Sequence, residues 1–181
     1  RDGLRVDTDT ARIRRLRAGV LDLLLARCPQ SAKIQELALE YGVRRTSFTE
    51  RKNADKCILC NICVRACAAV GANAIGTAGR GVVGEIALPF HDDPSACVGC
   101  GACALSCPTG AIEMVDAGFT RRIWERDFER VRCASCGRPT LTREHSAHLV
   151  ARSGLPEDSF KACDRCRREQ AGRQFLDLAG K

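Results

Sequence analysis

Eight cysteines between positions 57 and 107 carry the plainest chemistry in this 181-residue chain. Cys57, Cys60, Cys63 and Cys67 form a C-x2-C-x2-C-x3-C run. Cys97, Cys100, Cys103 and Cys107 repeat it forty positions later, with Pro108 next. Thiolates at this spacing hold [4Fe–4S] cubanes: the first three lie on one tight loop, and the fourth points away to the other cluster. The pattern predicts cluster I on Cys57, Cys60, Cys63 and Cys107, and cluster II on Cys97, Cys100, Cys103 and Cys67. Small residues between the ligands (Ala66, Gly99, Gly101, Ala102) let backbone N–H groups approach the sulfurs, which together with burial sets the potential.

A second cysteine system follows. Cys133 and Cys136, then Cys163 and Cys166, make two C-x2-C pairs with 26 residues between them. Each pair belongs on a turn, and two such turns close a tetrahedral site of four sulfurs, with structural Zn²⁺ as the expected ion. A mononuclear iron or a third Fe–S cluster is the alternative occupant. Gly137 suits the tight turn after the first pair. His145 and His148 lie between the pairs, but four cysteines suffice, so both are expected at the surface. His91 has no ligand neighbours. Cys28, the thirteenth cysteine, stands alone and reads as a small buried hydrophobe.

Composition narrows the class. The length allows one or two domains. Aromatic residues are only 4% of the chain, so the core is modest and inorganic sites must supply part of the folding free energy. Clustered C-x2-C pairs without a signal-peptide pattern point to a reducing compartment, hence the cytoplasm, rather than to a secreted disulfide scaffold. The chain opens on Arg1 instead of methionine, as if an upstream segment had been removed. Its longest apolar run, Val20 to Ala26, is broken by Asp22 and is too short to span a bilayer. The formal charge of +7 counts every cysteine as neutral. Each cubane or tetrathiolate zinc site leaves about −2, so three such sites bring the net charge close to +1. That balance speaks for protein partners and against nucleic acid.

The elements that must position these ligands follow from caps and periodicity. Thr8, Asp9 and Thr10 offer N-caps for a helix with Ile13, Leu16, Val20, Leu23 and Leu24 on its apolar stripe. Pro29 ends it, and Ser31 can cap a second helix bearing Ile34, Leu37, Ala38 and Tyr41, closed by Gly42. Glycines and short β-branched runs after Cys67 predict small strands and turns. Ala74-Ile75 and Ala111-Ile112 mark an internal repeat of about forty residues. Residues 116–132 read as a bridge in which Trp124 is a packing anchor. Thr142 and Gly154 bound a further helix, and a basic helix runs from Arg165 to Leu178. The predicted fold is α+β: a 2[4Fe–4S] ferredoxin-like domain with an N-terminal helical hairpin and a C-terminal zinc ribbon. The expected segments are 1–53 (helical), 54–118 (two clusters) and 119–181 (linker, zinc-ribbon-like domain and terminal helix).

The phrase from Asp55 to Cys67, then Ala74-Ile75-Gly76, Arg80-Gly81, Pro89-Phe90 and Cys97 to Gly101, resembles one ferredoxin-type module. It is similar to the two-cluster domain of the complex I large Fe–S subunit, of [FeFe] hydrogenases and of NAD-linked formate dehydrogenases. The likeness runs over about residues 10–115 and includes the helical segment from Arg14-Arg15 to Ala38. In that family the loop between the two helices holds a histidine and three cysteines for an extra cluster. Here it is shortened to Arg27-Cys28-Pro29-Gln30-Ser31-Ala32, which implies that this cluster is absent and Cys28 a remnant. No hydrogenase or molybdopterin domain follows in these residues, so the resemblance implies wiring rather than catalysis. The expected function is an electron-transfer subunit of a multi-subunit oxidoreductase, with no catalytic site of its own and with catalytic and flavin or Fe–S subunits as partners. The alternative is a redox- or iron-sensing regulator whose zinc ribbon contacts nucleic acid.

Overall fold

The computed structural model describes residues 2–51, 56–89 and 96–179; His91, Phe90 and the lead-in at 52–55 lie outside that range. The chain divides into two units that interleave in sequence. One comprises 1–62, 77–86 and 107–111, the other 63–76, 87–106 and 112–181. Among the described residues, helices, a two-stranded sheet and a four-stranded antiparallel sheet make the fold α+β.

The first unit is built on a helical hairpin, α1 (Ala11–Arg27) and α2 (Ala32–Glu40). The Thr10 hydroxyl accepts the Ile13 N–H at 3.2 Å and satisfies one orphan donor of the first turn. Leu21, Leu25, Cys28, Ile34 and Ala38 form the core, with Leu24, Leu37, Tyr41, Val43 and Ile58 packed on it. The expected stripe therefore holds only toward the C-terminal end of α1. Leu16, Val20 and Leu23 are 63%, 57% and 54% exposed. Nine residues of α2 reach about 14 Å and cannot cover seventeen of α1. Cys28 is fully buried, and its thiol donates to the Leu24 carbonyl at 3.0 Å. Arg27, at the end of α1, donates to the carbonyls of Cys57 (3.1 Å) and Gly84 (2.7 Å), tying the first cysteine loop to the hairpin. The strands β1 (Gly76–Ala78) and β2 (Glu85–Ala87) pair around a 3-10 turn at Gly81–Val83.

Each cysteine run opens with a loop that needs the left-handed backbone region twice. In the first run the positions are Leu59 (φ +53°) and Asn61 (φ +59°); in the second they are Gly99 (φ +63°) and Gly101 (φ +79°). A helix then begins: α3 (Ile62–Val70), with Cys63 and Cys67 buried one turn apart, or α4 (Ala102–Leu105), with Cys103 buried. The residue types differ because the neighbours differ. A Cβ on Gly99 would lie 2.6 Å from the Phe128 ring, and one on Gly101 2.5 Å from the Met114 sulfur. The first loop leaves room for side chains, and Leu59 spreads over Gly84. A leucine held there costs about 1–3 kcal/mol of backbone strain.

Phe128 and Met114 belong to a four-stranded antiparallel meander in the second unit: β3 (Met114–Ala117), β4 (Thr120–Ile123), β5 (Arg126–Arg132) and β6 (Pro139–Thr142). Residues 116–132, read from the sequence as a bridge, thus lie mostly in strands. The register sets Asp116 opposite Arg121 and Arg121 opposite Phe128, so these share one face with Met114, Ile123 and Arg126. Phe128 is fully buried and Ile123 nearly so, while Arg122, Asp127 and Glu129 alternate outward. β4 joins β5 through a two-residue turn in which Trp124 (φ +54°) and Glu125 (φ +59°) both take positive φ, as a type I′ hairpin requires.

α5 (Arg143–Ser153) starts at Thr142, whose hydroxyl accepts the His145 N–H at 3.2 Å, and ends at Gly154 with φ +69°. His148 donates to the Val70 carbonyl at 2.9 Å, and Arg152 donates to the carbonyls of Ala69 and Val70. α5 thereby satisfies the open carbonyls at the end of α3. His148 is a structural donor rather than the surface residue expected, and His145 is half-buried. α6 (Asp164–Ala179) closes the chain.

Phe128→Ala is expected to destabilise the metal-loaded protein by about 3–5 kcal/mol in denaturant unfolding. Gly99→Ala should also be strongly destabilising, because the added methyl meets that same ring. Leu59→Gly should fall within about 1 kcal/mol of wild type, since lost packing is offset by relieved backbone strain. Equal losses at positions 59 and 99 would contradict this account of the two loops.

Candidate iron–sulfur and metal sites

Cys67 on α3, Cys97 and Cys100 on the second loop and Cys103 on α4 all lie in the second unit. Two of these sulfurs, Cys97 and Cys103, feel their neighbours. Burial pushes the Cys97 thiol up, the Gly99 N–H opposes this, and Cys100 and Cys67 push it further up. Burial pushes Cys103 up to about 11, and Cys100 and Cys97 add to the effect, while Trp124 works the other way. Half-desolvated sulfurs that repel each other's charge are what a cationic core would neutralise. The donor set fits an iron–sulfur cluster.

Backbone amides aim at the sulfurs in matching places of the repeat. Leu59 N–H donates to the Cys57 sulfur at 3.4 Å, and Gly99 N–H bonds Cys97. Ala74 N–H donates to Cys67 at 3.2 Å, and Ala111 N–H to Cys107 at 3.2 Å. The repeated Ala-Ile pairs of the sequence thus begin with the residues whose amides reach the fourth cysteine of each run. Cys57, Cys60 and Cys107 fall in the first unit, and Cys63 begins the first segment of the second.

One face of the meander engages nearly every residue of the second loop. Arg126 donates to the Cys97 carbonyl at 3.5 Å, Thr142 to Val98 at 2.5 Å, and Arg121 to Gly99 at 3.2 Å and Cys100 at 3.0 Å. Arg121 is only 12% exposed and is held by Asp116 through two contacts of 2.7 and 2.8 Å. That pairing holds the Asp116 carboxyl below its ordinary range and raises Arg121. Arg126 also stacks over Phe128, 4.6 Å from the ring centre. Sequence reasoning missed Arg121 and Arg126, and it read Thr142 only as a helix cap. No apolar alternation signals them, because Asp116, Arg121 and Arg126 occupy the inward positions themselves.

The four sulfurs of Cys133, Cys136, Cys163 and Cys166 lie within 4.8 Å of one another. Gly137 turns at φ +72°, its N–H bonds the Cys133 carbonyl at 3.0 Å, and the Cys163 N–H donates to the Cys133 sulfur at 3.2 Å. Amides of Cys163 and Cys136 lower the Cys133 thiol to about 6, whereas the sulfurs of Cys136 and Cys163 push Cys166 up to about 12. Four sulfurs this close, one of them already accepting a backbone N–H, form the donor set of a tetrathiolate metal site. A closed set of four thiolates fits a tetrahedral zinc or iron ion.

Residues 90–113 match the 4Fe-4S binding domain family. No curated protein matches the chain by sequence. Among solved structures, a chain from the crystal structure of an NAD⁺-reducing [NiFe]-hydrogenase in the H₂-reduced state is similar, at 26% identity and a TM-score of 0.51. The match covers 61% of this chain and 58% of that one. Among the described residues no helix is long and apolar enough to cross a membrane. The family match, the structural likeness and the cysteine geometry converge on one statement. The chain carries a ferredoxin-type iron–sulfur module with at least one [4Fe–4S] cluster and a role in electron transfer.

Proposed function

We propose that this chain is an electron-relay subunit of a larger oxidoreductase, holding two [4Fe–4S] clusters and one Zn²⁺. The observation that carries the reading is the grouping of Cys67 with Cys97, Cys100 and Cys103. Interleaved ligation in a two-cluster module puts the fourth cysteine of the first run with the first three of the second, and the influence of Cys67 and Cys100 on Cys97 supports that set. Cys57, Cys60, Cys63 and Cys107 complete cluster I by the same logic, and the amides of Leu59 and Ala111 support it. Cys133, Cys136, Cys163 and Cys166 hold the zinc, which organises the C-terminal segment.

A bound [4Fe–4S] cluster supplies one-electron storage with little rearrangement. The protein's own share is to remove water from the sulfurs, to direct N–H groups at them and to hold cationic side chains nearby. Arg121 and Arg126 do the last of these at the second loop, with their guanidinium groups bonded to its carbonyls. The similar hydrogenase chain points to partners of the same kind: a catalytic subunit on one side and a flavin or Fe–S subunit on the other. The thiol-rich ligand sets suit the reducing cytoplasm. The functional segments are a helical support (1–53), the two-cluster module (54–118) and the zinc-organised region (119–181).

Metal analysis of protein purified with its native partners should give about eight Fe and about one Zn per chain. Twelve Fe, or no Zn, would overturn the zinc assignment. Cys60→Ser and Cys100→Ser should each remove one of two EPR-active clusters and lower electron transfer by at least tenfold. Undiminished transfer in either variant would sink the relay. Cys136→Ser should lose zinc while keeping the iron; loss of iron in its place would reassign that site.

A further inference from the structure

The part of α1 that α2 leaves uncovered has the pattern of a helix-pairing seam. Ile13, Leu16, Val20 and Leu23 follow at steps of three, four and three residues, the a and d positions of two heptads. Leu16, Val20 and Leu23 are each more than half exposed. Ile13, Leu16, Val20, Leu37 and Tyr41 line an open apolar groove of about 370 Å³, which Arg17 completes by donating to the Tyr41 hydroxyl at 3.2 Å. In this register Arg12 takes a g position and Arg17 an e position, the places whose charges select a partner helix. Arg12, Arg14 and Arg15 lie near the start of α1, where the macrodipole disfavours cations, and the first turn has no acidic residue. Asp9 pairs with Arg14 at 2.6 Å, while Arg12 and Arg15 have no ion pair among the described residues. Gly19, at the other g position, weakens the helix, although a Cβ there would meet nothing within 4 Å. A closely approaching second helix gives that glycine a use which its own chain does not.

We infer that this seam docks an acidic amphipathic helix of a partner subunit, apolar at a and d and carrying Glu or Asp at e and g. The inference rests on the proposed membership in a larger complex, and not on the ligation of either cluster. Carboxylates on the partner offset both the mutual repulsion of the arginines and their clash with the helix dipole. A second copy of this chain does the opposite, since its Arg12 and Arg17 would face these. An anionic membrane would also attract the arginines. A narrow seam beside a concave groove, however, suits interlocking side chains better than a flat lipid surface.

Fluorescence anisotropy on the full metal-loaded chain tests the seam with a labelled peptide of about three heptads, Leu at a and d and Glu at e and g. This peptide should bind at least tenfold tighter than its counterpart with Lys at e and g. Leu16→Glu or Val20→Glu should weaken it at least tenfold, and Arg12→Glu combined with Arg17→Glu should reverse the charge preference. Iron content and circular dichroism are read on every variant, and the charge reversal alters no buried residue. Equal affinity for the two peptides, or binding that Leu16→Glu leaves unchanged, would overturn the seam. So would anionic-vesicle binding or self-association that Leu16→Glu abolishes while the Glu peptide stays unbound. In the natively purified complex, a photoreactive benzoylphenylalanine replacing Val20 should crosslink to an acidic helical segment of a co-purifying subunit. A chain that purifies without any partner would overturn its membership in a complex. Partners that co-purify but crosslink through a basic segment, or not at all, would overturn the seam alone.

Discussion

Several sulfurs brought together away from water repel one another as soon as more than one is ionised. Everything around the cysteine loops of this chain answers that constraint. At Cys97 and Cys103 burial raises the thiols first and the neighbouring sulfurs add to the rise, whereas amide and sulfur hydrogen bonds separate Cys133 from Cys166. Inorganic cations resolve the repulsion, and they have to be met by a backbone already shaped for them. The left-handed pairs at 59 and 61, and at 99 and 101, turn the chain so that amides face the sulfurs. Such conformations are not self-supporting. They persist because other elements grip the loops from behind.

The two loops are gripped in analogous ways by unrelated elements. In the first, Arg27 at the end of α1 donates to the carbonyl of Cys57, the first cysteine of its run. In the second, Arg126 of β5 donates to the carbonyl of Cys97, the equivalent residue. A helical hairpin serves one copy of the repeat and a β-meander the other. The hairpin and the meander are therefore parts of the ligand cages as much as attachments to them. A carbonyl bound by a guanidinium cannot swing to compete for the amides that the sulfurs need.

Much of this was legible in the chain. The second cysteine run is legible because a cluster-binding loop demands local geometry, and residues 90–113 match the 4Fe-4S binding domain. Thr10, Gly42, Thr142 and Gly154 announced helix ends because caps are local too. The meander was obscured for a physical reason. Its inward face carries Asp116, Arg121 and Arg126, whose charges break the apolar alternation that marks a strand, and its hairpin lacks an Asn-Gly signal. Arg121 and Arg126 point inward because loop carbonyls are there to accept from them, Asp116 pairs with Arg121, and nothing in the local sequence states where those carbonyls are. The buried stripe of α1 was misplaced for a similar reason, since the length of α2 decides how much of α1 is covered.

The same contrast bears on how the surroundings of the two cysteine runs differ. The first loop accepts a strained leucine and one guanidinium on its carbonyls. The second has shed side chains at 99 and 101 to admit Phe128 and Met114, and with them come two guanidinium groups and a threonine. Close packing excludes water and disfavours added negative charge, whereas nearby cations favour it. At the second loop the two effects arrive together, because the strands that bring Phe128 and Ile123 also bring Arg121 and Arg126. Burial alone would make the site hard to reduce, and the arginines compensate for it. Gly99 is the residue on which this depends, since any larger side chain there would hold the sheet, and its charges, away from the cysteines.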